Sequence, residues 1–207
     1  MKELIRRYPA LAVCEDSIQK ALEQMKETYD NGGTMLLCGN GGSCADCEHI
    51  VGELMKGFLS LRKMKEADYE KIKTHFPEDA EAFRDTLQYG IPAISLPSLS
   101  AVGSAFVNDV TSEMVYAQLV YGYGKPQDLV IGISTSGNSK NVVNAMKIAK
   151  SMGLKTLGLT GCKPSLMDEL CDVVIKVPET ETYKIQEYHL PVYHYLCAEL
   201  ERILFGA

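Results

Sequence analysis

DLVIGISTSGNSKNVVNAMKIAKSMGLKTLGLTG, from Asp128 to Gly161, is the stretch that decides the fold. Leu129 to Ile133 is a short apolar run, as expected of a strand buried on both faces of a parallel sheet. Ser134 to Ser139 then break the pattern. From Asn138 to Met152 the apolar residues Val142, Val143, Met146, Ile148 and Ala149 recur at helical spacing, and Gly153 ends the run. Thr156 to Leu159 is apolar again. Strand, turn, helix and strand follow one another without a spacer.

The same grammar extends in both directions. Thr34 to Cys38, Pro92 to Leu96 and Val173 to Val177 also read as buried parallel strands. A first helix from about Leu11 to Asp30 is marked by Leu11, Val13, Ile18, Ala21, Leu22 and Met25, and stops at Asn31-Gly32-Gly33. A last helix is expected from about Tyr183 to Phe205, with Pro191 kinking it or marking a late start. The prediction is an α/β three-layer sandwich: a central parallel sheet of about five strands with helices on both faces.

One domain over residues 1–207 suits this length, and 46% hydrophobic residues suffice for a single core. Residues 59–90 are the exception to the pattern. They are rich in charge and read as two short helices, Glu66 to Thr74 and Glu78 to Leu87, split at Phe76-Pro77. This is a helical insertion, with a lid, an oligomer contact and a plain solvated decoration all open as roles. Acidic and basic residues are interspersed, 27 against 21, and the net charge is -6, so a nucleic-acid partner is not expected. Seven scattered cysteines do not form a secretory disulfide pattern, and no run approaches the roughly 20 apolar residues of a membrane span. A reduced, cytoplasmic protein is expected, without membrane partners.

Two turns carry the first chemical signal. GNGGS (Gly39 to Ser43) follows the first strand, and STSGNS (Ser134 to Ser139) follows the third. In an open α/β sheet, turns after strand ends face the ligand crevice. Glycines allow close backbone approach, helix N-termini offer free N–H groups, and the hydroxyls of Ser43, Ser134, Thr135, Ser136 and Ser139 add neutral donors around an anion. Neither turn is a dinucleotide fingerprint or a Walker loop. Four hydroxyls in STSGNS exceed what one helix cap requires.

With CGNGGSCADCEHIVGEL (Cys38 to Leu54), FVNDV (Phe106 to Val110), GISTSGNS (Gly132 to Ser139) and KIQEYHLPVYHYL (Lys184 to Leu196), the chain resembles the sugar isomerase (SIS) domain family. Within that family it looks like the sedoheptulose 7-phosphate isomerase branch, also called phosphoheptose isomerases. The resemblance implies an aldose-ketose isomerase acting through an enediol, a zinc ion, and a homotetramer with active sites between subunits. It places Asn40, Gly41, Gly42 and Ser43 in the first substrate loop, Ser134, Thr135, Ser136 and Ser139 around the phosphate, and Asn108 and Asp109 on the sugar. His49, Glu53, Gln186 and His194 fall on the metal positions, Glu53 and His194 also being catalytic, and Glu53 and Gln186 also touching substrate. The family's arginine four residues after the catalytic Glu falls here on Gly57, beside Lys56. A non-catalytic SIS protein bound to a protein partner, and an isomerase of another ketose phosphate, are the alternatives.

The residues support this chemistry in their own terms. His49 and Glu53, four apart after a glycine turn, share a helix face. Such a pair binds a metal or shares a proton, though it also occurs as an ordinary surface pair. Gln186 and His194 lie eight apart, about 12 Å along a straight helix, too far for one zinc with bonds of about 2 Å. At least one is therefore expected from a neighbouring chain, unless Pro191 breaks the helix. His189 is the rival ligand. Cys44 and Cys47 form a C-x-x-C that redox chemistry could use if a helix N-terminus lowered the thiol pKa.

Overall fold

The computed structural model describes Met1–Gly206; the last residue of the expected 1–207 domain lies outside the described residues. The chain opens with α1 (Lys2–Arg7), a 3-10 turn (Pro9–Cys14) and α2 (Glu15–Asp30). Then come β1 (Met35–Gly39), α3 (Gly42–Met55), α4 (Glu66–His75), α5 (Ala80–Thr86), β2 (Ala93–Ser95), α6 (Ser100–Asp109) and α7 (Val115–Tyr123). The second half runs β3 (Leu129–Ile133), α8 (Lys140–Ser151), β4 (Lys155–Gly161), α9 (Met167–Leu170), β5 (Val173–Val177) and α10 (Thr182–Phe205).

All five strands are parallel, in the order β2-β1-β3-β4-β5. The sheet is buried through its central strands, so alternate residues feed two cores. Met35, Leu37, Leu129, Ile131, Leu157 and Leu159 pack with α2, α3 and α10 on one face. Leu36, Cys38 and Val130 pack with α7, α8 and α9 on the other. This strand order reverses direction between β1 and β3, and ligands bind at such a switch point beyond the carboxyl ends of the strands. GNGGS and STSGNS are the turns that leave those two strands.

Two expectations need correction. The helix expected from about Leu11 is α2 and starts at Glu15, because Pro9–Cys14 forms a 3-10 turn in front of it. Pro191 does not delay the last helix, which starts at Thr182 and carries the proline in its interior. Ile185, Val192, Tyr193, Leu196, Cys197 and Leu200 are all buried from α10, and burial of that stripe outweighs the roughly 3 kcal/mol that an interior proline costs. The segment at 59–90 does hold two helices parted at Phe76–Pro77. An antiparallel bridge between Lys63 and Gln88 ties its two ends together. Tyr69 bonds Glu81 across the pair, and Arg84 lies 4.5 Å from the Tyr69 ring centroid.

Candidate active site

The first loop is shaped by Gly41, whose φ of 56° lies in the region that only glycine enters freely. It turns the chain from β1 into α3. Asn40 leaves the loop to pair with Asn141 of α8, each amide donating to the other's carbonyl at 2.9 Å. The Tyr116 hydroxyl donates to Gly39 O at 2.7 Å and reaches Asn40 Oδ1 at 3.3 Å. The first turn is thereby tied to the start of α8, just past the second turn, and to α7. Asn141 and Tyr116 carry no motif that sequence reading could have used.

In the second loop Ser134 is buried, and its hydroxyl lies 3.0 Å from that of Ser139. The Ser136 hydroxyl accepts from the Asn138 N–H at 3.2 Å. Thr135 and Ser136 line a cavity of about 180 Å³ together with Lys163, Thr180 and Thr182. Thr182 is the first residue of α10, so that helix directs its N-terminus at the same space. Lys163 and Thr182 were not anticipated. Asn108 and Asp109 stand at the end of α6, joined by an Nδ2 to Oδ1 bond of 2.8 Å, and are exposed.

Farther along α3 the polar cluster begins. Glu53 Oε1 lies 3.2 Å from His49 Nε2, and Glu53 Oε2 lies 3.4 Å from Lys56 Nζ. His194 of α10 brings its Nε2 to 3.4 Å from the same His49 nitrogen. Helices α3 and α10 pack side by side, which is why residues 145 apart in sequence meet. Burial, and then the neighbouring His49, push the His194 pKa down, favouring a neutral ring. Behind His49, the Tyr193 hydroxyl sits 3.0 Å from Nδ1 and donates to Asp46 Oδ1 at 3.2 Å. His194 also borders a cavity of about 540 Å³ lined by Arg7, Tyr8, Phe58, Leu190 and Pro191.

Gln186 lies elsewhere. A Cβ on Gly42 would come within 2.5 Å of its Nε2, so this amide rests on the first loop. On an unbroken α10 it is about 12 Å of helix rise from His194. The rival His189 is fully buried, with Nε2 3.4 Å from Thr160 O, and desolvation pushes it down to about 4. It is a neutral core side chain beside β4. Cys44 and Cys47 are free, and burial pushes both thiols up, opposite to what redox chemistry requires.

The metal question turns on the donor set. Among the described residues, no three His, Cys, Asp or Glu side chains close a metal cage. Glu53, His49 and His194 meet instead as an open chain with His49 in the middle. Two ligands of a tetrahedral zinc at about 2.0–2.1 Å stand about 3.3 Å apart. Both contacts in the chain already have that length, and carboxylate plus imidazole is the right chemistry.

A parallel sheet in this order, with a hydroxyl-lined turn at its switch point, defines an α/β protein with a crevice whose lining suits an anionic small molecule. Residues 105–195 match the SIS domain model, and residues 3–75 match a second SIS domain model. A phosphoheptose isomerase from Aliarcobacter butzleri is 35% identical over 99% of this chain and 96% of its own length. One from Helicobacter pylori strain P12 is 37% identical over 97% and 93%. The solved phosphoheptose isomerase of Neisseria gonorrhoeae is 28% identical, covers 97% of this chain and 94% of its own, and superposes with a TM-score of 0.75. The chain belongs to the phosphoheptose isomerase family of SIS-domain proteins.

Proposed function

We propose that the chain interconverts sedoheptulose 7-phosphate and D-glycero-D-manno-heptose 7-phosphate through an enediol. The observation that carries this reading is the meeting of Glu53 and His194 at His49, in a family of isomerases. The phosphate would rest on Ser134, Thr135, Ser136 and Ser139, held by hydroxyls and by the N–H groups at the start of α8. Asn40, Gly41, Gly42, Ser43, Asn108, Asp109 and Gln186 would bind the sugar hydroxyls.

Glu53 takes a proton from C1 of the ketose and returns it to C2. His194 gives a proton to O2 and takes one from O1, so the aldose forms with no net proton gained. A neutral His194, as its depressed pKa favours, can move protons in both directions. His49, Glu53 and His194 are the residues that would hold a zinc ion, and a bound zinc supplies Lewis-acid stabilisation of the enediolate oxygens. Gln186 would complete the set only from another copy of the chain, since α10 holds it a long helix rise from His194. That separation supports a homotetramer with sites between subunits. We also take residues 59–90 as an insertion in one domain, and the cytoplasm as the compartment, where the seven free cysteines stay reduced.

The test is turnover of sedoheptulose 7-phosphate by the purified, metal-analysed protein, followed by NMR. Appearance of the aldose phosphate supports the reading. Absence of turnover by zinc-loaded protein would sink it.

A further inference from the structure

Tyr193 has one hydroxyl hydrogen and two polar neighbours. The Asp46 carboxylate accepts only, and no other donor reaches it among the described residues; its Oδ2 is buried without a partner. The hydrogen therefore goes to Asp46 Oδ1. The remaining contact, 3.0 Å from the Tyr193 oxygen to His49 Nδ1, is a hydrogen bond only if Nδ1 carries the proton. Tyr193 is 2% exposed, so water does not compete for its hydroxyl. The two rings pack edge to face at 5.4 Å, which holds the imidazole plane.

We propose that Asp46 and Tyr193 are positioning residues that keep a proton on His49 Nδ1, so that Nε2 is the nitrogen left facing Glu53 and His194 to take a cation. This deepens the isomerase reading, and rests on it for the use to which Nε2 is put. Glu53 Oε1, 3.2 Å from Nε2, also accepts only and holds whatever proton Nε2 carries; a cation that replaces that proton meets three electron-pair donors, Glu53 Oε1, His49 Nε2 and His194 Nε2. A metal-binding histidine commonly gives its other N–H to a carboxylate, directly or through an intermediary, and loss of that partner costs metal affinity. Here the intermediary is a phenol. Asp46 lies one helical turn before His49 on α3, and Tyr193 immediately precedes His194 on α10. The second helix thus supplies one group of the cluster and braces another.

The experiment uses full-length, metal-free protein labelled with 15N-histidine, in which two-bond 1H–15N correlations assign each tautomer. His49 in the unsubstituted protein should show Nδ1–H. Tyr193→Phe keeps the buried ring and should move His49 toward Nε2–H. It should weaken zinc binding roughly 10–100-fold in a chelator competition and lower kcat more than it raises KM, because the 134–139 loop is untouched. Asp46→Asn should act in the same direction, and serves if Tyr193→Phe does not fold. An Nε2–H tautomer in the unsubstituted protein overturns the proposal. So does a folded Tyr193→Phe protein with the same His49 spectrum and the same zinc affinity. A protein that shows the Nδ1–H lock and its loss in the variant, yet neither binds zinc nor isomerises, keeps this inference and removes the functional one.

Discussion

Arg62 and Glu201, far apart in sequence, form an ion pair at 2.6 Å with both side chains shielded from solvent. Glu201 also accepts from the N–H groups of Phe58, Leu59 and Ser60, and Arg62 donates to the carbonyls of Leu54 and Glu53. Those two carbonyls are orphans of the last turn of α3. The pair ties the end of the helix that carries His49 and Glu53 to the far end of α10. Arg62→Met should cost about 3–5 kcal/mol in chemical denaturation, because it strands a buried carboxylate. The double variant with Glu201→Leu should cost distinctly less. Equal losses in the single and double variants would mean that the charge is not what matters.

The same carboxylate gives an acid dependence. Burial alone would push Glu201 up, but the Phe58 and Leu59 N–H bonds, followed by Arg62, outweigh it and hold the pKa below the ordinary glutamate value. A lowered folded pKa contributes stability that is present above the unfolded value, about 4.3, and is lost as pH falls through the folded pKa. Denaturation midpoints should therefore fall between pH 5 and pH 3, and Glu201→Gln should flatten that slope.

Glu53→Gln should abolish isomerisation while leaving sugar-phosphate binding within a few-fold, since the Ser134–Ser139 loop is separate from α3. Single-turnover kinetics with calorimetry read the two effects independently. Retained turnover would remove Glu53 from the proton transfers.

Gly42→Ala should be tolerated by the fold and damaging to the site. Gly42 is the first residue of α3, where alanine gains only part of the roughly 1 kcal/mol it has over glycine in a helix interior, and the atom its Cβ meets, Gln186 Nε2 at 2.5 Å, ends a flexible side chain. The amide must swing away. Thermal stability should hold or rise slightly, while KM increases about tenfold, equivalent to losing one good hydrogen bond. An unchanged KM would take Gln186 out of substrate binding.

Much of this fold was readable because the central strands are buried on both faces: β3 announces itself as an unbroken apolar run at the predicted residues, and the half-buried edge strand β5 as a run interrupted only by Lys176. The two phosphate-like turns were readable for a related reason, since glycine and hydroxyl residues cluster locally. Helices α6 and α7 were not identified as elements. α6 buries no residue and so has no apolar stripe to show. The span of α10 matches the helix expected from about Tyr183 to Phe205; what stayed open was the effect of Pro191, because a local signal for a break competes with packing contributed by α2 and α3. The supporting residues Asp46, Asn141, Tyr193, Arg62 and Glu201 were invisible for a deeper reason. Each is defined by a partner more than a hundred residues away, and no spacing rule encodes such a meeting.

Because α10 is one rod, Thr182, Gln186, Tyr193, His194 and Glu201 keep a fixed angular relation to one another. Each added residue turns everything beyond it by about 100°. One extra residue after Leu190 would leave the Thr182 end in place and swing the imidazole and the Arg62 anchor off target together. Evolution can exchange side chains along this shaft one at a time, but it cannot change the shaft's length between them without dismantling every station at once.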